Sequence, residues 1–224
     1  MKNAIFSSLI FVLLISLMPA KAQLFRGELI AGMNKSQVDG DEAYRFKKYG
    51  LNFGAGVAVP VYKNWFASME LLYNQKGAYK KAISNDTMNG SYRLNLDYVE
   101  IPVLFYYTDK EFISAGAGFS WGNLISVKEA EKRYSIDPID LDTVYHKSDW
   151  NAIADFRVRI YKNLKLNVRY AYSIKNIGVR DVRDSESGLW IHNDKQFNNL
   201  WTFRLIYMIN EKPPVKKKKD AGTE

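Results

Sequence analysis

Eight stretches of this chain alternate apolar and polar residues with a period of two, each about a dozen residues long, and no other feature restricts the fold as much. They run from Leu24 to Asn34, Gly50 to Pro60, Trp65 to Gly77, Asn95 to Tyr107, Phe112 to Asn123, Asp149 to Ile160, Leu164 to Ile174 and Asn199 to Ile209. Period two sends successive side chains to opposite faces of a strand. The seventh stretch sets Leu164, Leu166, Val168, Tyr170, Tyr172 and Ile174 against Lys165, Asn167, Arg169, Ala171 and Ser173. The sixth sets Trp150, Ala152, Ala154, Phe156, Val158 and Ile160 against Asp149, Asn151, Asp155, Arg157 and Arg159. In the third, Trp65, Ala67, Met69, Leu71 and Tyr73 oppose Ser68, Glu70, Leu72 and Asn74.

The connections alternate in length. Val61 to Asn64, Thr108 to Glu111 and Tyr161 to Asn163 are tight turns, whereas Lys35 to Tyr49, Ala78 to Leu94, Leu124 to Ser148 and Lys175 to Asn198 are long. Short turns on one rim and long loops on the other describe an eight-stranded antiparallel transmembrane β-barrel of up-and-down topology. An even strand number brings both termini to the short-turn, periplasmic side. Parity alone does not say which face points outward, because a soluble lipocalin has the same alternation turned inside out. Aromatic residues at the ends of the apolar faces decide it. Trp65, Tyr107 and Tyr207 fall near the short-turn rim, and Tyr73, Trp121, Trp150, Tyr172 and Trp201 near the long-loop rim, forming two girdles for the two membrane interfaces.

Lys2, the apolar run from Ala4 to Met18 and the Ala20-Lys21-Ala22 cleavage site form a secretory signal peptide over residues 1–22. With no cysteine in the chain, disulfides, thiolate metal sites and a lipoprotein anchor are excluded. Cleavage after Ala22 removes Lys2 and Lys21 and no acid, leaving 30 basic against 24 acidic residues. This modest, interspersed surplus does not suggest a nucleic-acid partner. The barrel then occupies residues 23–210, and residues 211–224, with Pro213-Pro214 and four consecutive lysines, read as a basic, disordered periplasmic tail. Within the strands, Pro102 cannot donate to a ladder and predicts a local gap or bulge. Gly54 and Gly56 share the inner face of the second stretch and leave room for long neighbours.

Glu70-Leu71-Leu72-Tyr73-Asn74-Gln75-Lys76-Gly77, Tyr98-Val99-Glu100-Ile101-Pro102-Val103-Leu104-Phe105 and Gly116-Ala117-Gly118-Phe119 resemble the PorT-like outer-membrane β-barrel family of Bacteroidota, across Leu24 to Ile209. The resemblance implies a small barrel tied, in its founding members, to secretion or maturation of exported proteins by the type nine route. It carries over no catalytic residue.

The inner faces collect Arg26, Glu28, Glu70, Glu100, Asp155, Arg157, Arg159, Lys165, Arg169 and Arg204, four acids facing six bases. Eight strands enclose a space just wide enough for side chains, so these charges are expected to pair into a plug rather than line a channel. The two histidines, His146 and His192, fall in long loops. Ser148 and Asp149 lie near the first, and Ser185, Ser187 and Asp194 near the second; a lipid-modifying enzyme at the outer rim would draw on such residues. Loop Ser and Asp are abundant, however, and solvated loop residues are the expectation. Asp39-Gly40-Asp41-Glu42 and the set Asp137, Asp140 and Asp142 have the oxygens calcium prefers but match no full calcium loop. The sequence therefore points to no catalytic residue, cofactor or resident metal. Its expected partners are outer-membrane lipid and lipopolysaccharide, with an envelope or secretion-system protein at the loops and tail. The function expected is that of a non-enzymatic accessory of envelope assembly or secretion, with a lipid-modifying enzyme or a narrow transporter as the alternatives.

Overall fold

A computed structural model describes residues 25–40, 45–81, 91–110, 112–131, 144–183 and 190–211. The signal peptide, Asp41, Glu42, Asp137, Asp140, Asp142, Ser185, Ser187 and the tail beyond Glu211 lie outside them. Nine strands occur among the described residues: β1 (Arg26–Asp39), β2 (Lys48–Tyr62), β3 (Trp65–Lys80), β4 (Tyr92–Asp109), β5 (Ile113–Glu131), β6 (Ser148–Tyr161), β7 (Leu164–Ser173), β8 (Gly178–Arg183) and β9 (Trp190–Ile209). Each of β1 to β6 pairs antiparallel with its successor, β7 pairs with β9, and β9 pairs with β1 from Gly27↔Ile209 to Asp39↔Phe197. The wall is thus a closed barrel of eight strands, with no free edge at the membrane level. Lys63, Lys110 and Lys162 take the left-handed backbone that the three tight reversals need.

β8 is the one strand the alternation did not foresee. Tyr172 faces Asn199, residues 174–177 leave the ladder, and Gly178 resumes opposite Gln196, so β8 continues the line of β7 along the upper part of β9. Its Gly-Val-Arg-Asp-Val-Arg sequence has no clean apolar face, and it forms because β9 rises above the rim and supplies a partner. β4, β5 and β9 likewise extend beyond the expected stretches, beginning at Tyr92, ending at Glu131 and beginning at Trp190. The Pro102 expectation resolves as a gap. Met69 pairs with Val103 and Leu72 with Glu100 in unchanged register, and the two positions between are unpaired on the β3 side.

Polar and apolar faces divide as a membrane barrel requires. Glu28, Glu70, Asp155, Arg157, Arg169 and Arg204 are buried inside, while Leu29, Met69, Leu71, Val103, Phe119 and Leu205 are exposed on the outer wall, Phe119 at 62%. A water-soluble protein does not leave a continuous apolar belt of that kind uncovered. All four girdle tryptophans, Trp65, Trp121, Trp150 and Trp201, face outward and are 37–44% exposed. Trp65 sits edge-on to Tyr107, ring centroids 5.2 Å apart, and Tyr170 lies 5.0 Å from Trp201. Trp65 and Tyr73 are separated by about 26 Å along β3, or about 20 Å along the axis at a strand tilt of about 40°. That spacing suits the apolar thickness of an outer membrane.

Candidate functional site

The interior is organised in layers along the axis. At the centre, three arginines from the C-terminal strands meet three acids. Arg157 Nη1 donates to Glu28 Oε1 (2.6 Å) and its Nη2 to Glu70 Oε1 (2.8 Å). Arg169 grips both oxygens of Glu70 (2.9 and 3.0 Å) and donates through Nε to Asp155 Oδ2 (2.6 Å). Arg204 bridges Glu70 (3.0 Å) and Asp155 (3.2 Å), and its Nε donates to Asn167 Oδ1 (2.7 Å). Ser68 completes the shell of Glu28 at 3.0 Å and Asn167 that of Asp155 at 2.6 Å. Forked guanidinium–carboxylate contacts of this kind offset the large cost of taking charges out of water only when nearly every donor and acceptor is met.

Long side chains need space, and glycines on β2 and on β5, the neighbour of β6, provide it. A Cβ at Gly56 would stand 3.1 Å from Glu28 Oε2 and from Glu70 Cγ, and one at Gly116 would stand 2.3 Å from the Tyr106 ring. Tyr106 lies flat under Arg157, with the guanidinium carbon 4.2 Å from the ring centroid, and stacks on Phe66 at 4.6 Å. Alternation on β2 and β5 therefore places small residues where the arginines of β6, β7 and β9 cross the lumen.

Toward the long-loop rim lies a second layer. Lys76 Nζ donates to Asp149 Oδ2 (2.9 Å), stands 3.3 Å from Glu100 Oε2 and sits 5.0 Å over the Tyr98 ring. Ser173 and Asn198 also donate to Asp149, at 2.7 and 2.9 Å, while Ser120 and Asn74 donate to Glu100. Above it, Val38, Ala78, Tyr92, Leu94, Leu96, Tyr98, Tyr145 and Ile177 pack into a buried apolar cap. The segment ahead of β6 contributes to this cap: His146 N donates to Ile177 O (2.7 Å) and Leu124 N to Lys147 O (2.7 Å). At the other end, the short-turn mouth holds a third ionic layer in which Glu211 contacts Arg26 at 3.2 Å, Arg159 at 3.0 Å and Lys165 at 2.8 Å.

All ten charges expected on the inner faces take part in these three layers, and all eight girdle aromatics lie on the outer wall. Three members are additional. Lys76 and Asp149 lie on the polar faces of the third and sixth stretches, and extending the parity by one step past Asn74 reaches Lys76. Glu211 has no such signal: it follows the last apolar stretch and reads as part of the tail, yet it is only 6% exposed.

Of the two histidines expected in loops, His146 lies in the segment ahead of β6 and His192 lies in a strand. His146 Nδ1 contacts Asn176 O at 3.0 Å at an exposed position, while neighbouring Asp149 points into the lumen and is held by Lys76. His192 belongs to β9, its backbone opposite Val182. Of the acids considered for calcium, Asp39 accepts from Gln37 (2.6 Å) and Asn199 (3.1 Å), and no metal-ligating cluster of three His, Asp or Glu occurs among the described residues.

A closed antiparallel wall with an apolar belt, two aromatic girdles and an ion-paired interior defines a transmembrane β-barrel of the outer-membrane class. The chain belongs to the outer membrane protein beta-barrel domain family, whose model matches residues 22–178. Among solved structures it is similar to the attachment invasion locus protein Ail of Yersinia pestis, with 11% identity, 82% of this chain and 98% of that chain covered, and a TM-score of 0.43. It is similar also to OprG from Pseudomonas aeruginosa (11% identity, 83% and 95% covered, TM-score 0.43). The outer membrane protease OmpT from Escherichia coli is a further likeness (10% identity, 83% and 96% covered, TM-score 0.39). Such low scores and identities carry no argument about activity. No curated protein matches the chain.

Proposed function

We propose that this protein is a non-enzymatic outer-membrane barrel that works by binding, as an accessory of envelope assembly or protein secretion. The observation that carries the reading is the filled interior: ionic layers at the short-turn mouth and the centre, and an apolar cap at the long-loop rim, leave function to the ends and outer surface. The resemblance to the PorT-like family implies the same role. In this reading both termini are periplasmic. The outer belt meets membrane lipid, and basic residues above the outer girdle, including exposed Arg93 and Lys195, meet lipopolysaccharide phosphates. The long loops and the tail contact the protein partner.

Crosslinking in native outer membranes, followed by purification of the intact protein and of a form lacking residues 212–224, tests this. A stoichiometric assembly or secretion component is expected, and its loss from the truncated form assigns the contact to the tail. If no protein is enriched with either form, the accessory role is wrong.

A further inference from the structure

The three ionic layers differ in how their acids are held. In the central and upper layers every acid is a wall residue locked in a strand. At the short-turn mouth the acid comes from outside the wall. Asn210 adopts a left-handed backbone (φ 61°) directly after β9, turns the chain inward, and donates through Nδ2 to Phe25 O at 3.2 Å. Glu211 then places its carboxylate among three cations.

Two of those cations, Arg159 and Lys165, have side chains only 8% and 7% exposed, and the side chain of Glu211 is 3% exposed. Buried cations converging on one point are costly unless an anion sits between them. The contacts are those of a small oxyanion site: Lys165 Nζ and Arg26 Nη1 reach Oε1 at 2.8 and 3.2 Å, and Arg159 Nη2 stands 3.0 Å from Oε2. Glu211 has no ladder partner, so it can withdraw without breaking the barrel. Arg26 is 36% exposed and keeps the site in reach of the rim, where exposed Lys63, Lys110 and Lys162 mark the three tight turns. An incoming anion meets that positive charge first.

We propose that the short-turn mouth is an oxyanion-binding site, with the Glu211 carboxylate as its resident occupant and an external phosphate or carboxylate group as the exchangeable one. The site rests on the mouth geometry alone and stands whether or not the protein serves secretion.

The test uses the full mature chain folded in detergent micelles, with phosphate binding followed by calorimetry at constant ionic strength set with chloride. Glu211→Gln removes the charge at nearly constant size. It is expected to bind inorganic phosphate at least about tenfold more tightly than the unaltered protein, in which the occupant must first be displaced. Adding Lys165→Gln to that variant should abolish the gain. Glu211→Asp, which keeps the charge on a shorter arm, should bind with intermediate affinity, and it carries the test should the glutamine variant not fold. A diglutamate peptide and phosphatidylglycerol in mixed micelles, each competed against bound phosphate, then separate a protein carboxylate from a lipid headgroup as the source. Equal phosphate affinity in the unaltered protein, Glu211→Gln and Glu211→Asp, or a gain that survives Lys165→Gln, overturns the proposal.

Discussion

Replacing Glu70 by Gln perturbs the one acid that all three central arginines share through their terminal Nη groups. Its two oxygens accept four charge-assisted hydrogen bonds, from Arg157 (2.8 Å), Arg169 (2.9 and 3.0 Å) and Arg204 (3.0 Å). The amide keeps one acceptor oxygen but turns the other position into a donor facing guanidinium donors, and it leaves the cluster with one more positive charge than negative. Taken singly, four bonds of about 1.5–3 kcal/mol each would sum to more than most domains can lose. They share one carboxylate, so the relevant magnitude is that of breaking a buried pair, about 3–5 kcal/mol. This corresponds to a loss of roughly two to nearly four powers of ten in the folding equilibrium. Urea unfolding in lipid vesicles, read by the fluorescence of the outward-facing tryptophans, measures it. A second replacement, Arg204→Gln, returns the charge balance, so the double variant should be less destabilised than the two single losses added together. A Glu70→Gln cost below about 1 kcal/mol, the range of an exposed ion pair, or strict additivity of the two changes, would refute the account of the lumen as a coupled ionic plug.

Gly116→Val should destabilise the barrel by about 1–3 kcal/mol, because the new Cβ meets the Tyr106 ring at 2.3 Å and pushes it from beneath Arg157; urea midpoints report the loss, and Gly27→Ala, whose Cβ would meet Ile209 at 3.3 Å, should be milder. Met69→Arg places a charge four residues from each of Trp65 and Tyr73 on the outer belt and should cost about 2–4 kcal/mol in vesicles, read from the urea midpoint. Purified protein in planar bilayers should show no stable conductance step, since both ends of the lumen are closed; a reproducible open channel would contradict that.

The faces of the wall were legible because the membrane imposes them. A residue on the third, sixth or seventh stretch either meets lipid or meets the packed lumen, and Met69, Phe156 and Leu166 on one side, with Glu70, Arg157 and Arg169 on the other, follow strict parity. Legibility fades where that demand ends. Above the outer girdle Lys128 and Glu129 on β5, and Arg180 and Asp181 on β8, stay in strands because a neighbouring strand offers hydrogen bonds, which leaves no apolar period to read. Glu211 was hidden for a related reason: its place depends on the backbone turn at Asn210 and on three cations brought from β1, β6 and β7, none of them near it in sequence. The central pairing was only half legible. Alternation put the charges on the inner face, but the partner of each arginine depends on barrel closure, which joins Glu28 to Arg157 across 129 residues.

The division of charge between the two ends of the chain bears on how the barrel is built. Two of the three central acids, Glu28 and Glu70, belong to β1 and β3 and only Asp155 to β6, whereas Arg157, Arg169 and Arg204 belong to β6, β7 and β9. An open sheet inserted strand by strand would turn three arginines toward hydrocarbon with Asp155 as their one acid in the central layer, leaving two of them uncompensated at roughly 2.5–3.5 kcal/mol each near the bilayer centre. Stepwise insertion of single hairpins is therefore uphill for the later strands. The lower route keeps the arginines in water until the two halves of the chain meet, so that crossing the bilayer and zipping the β1–β9 seam become one concerted event.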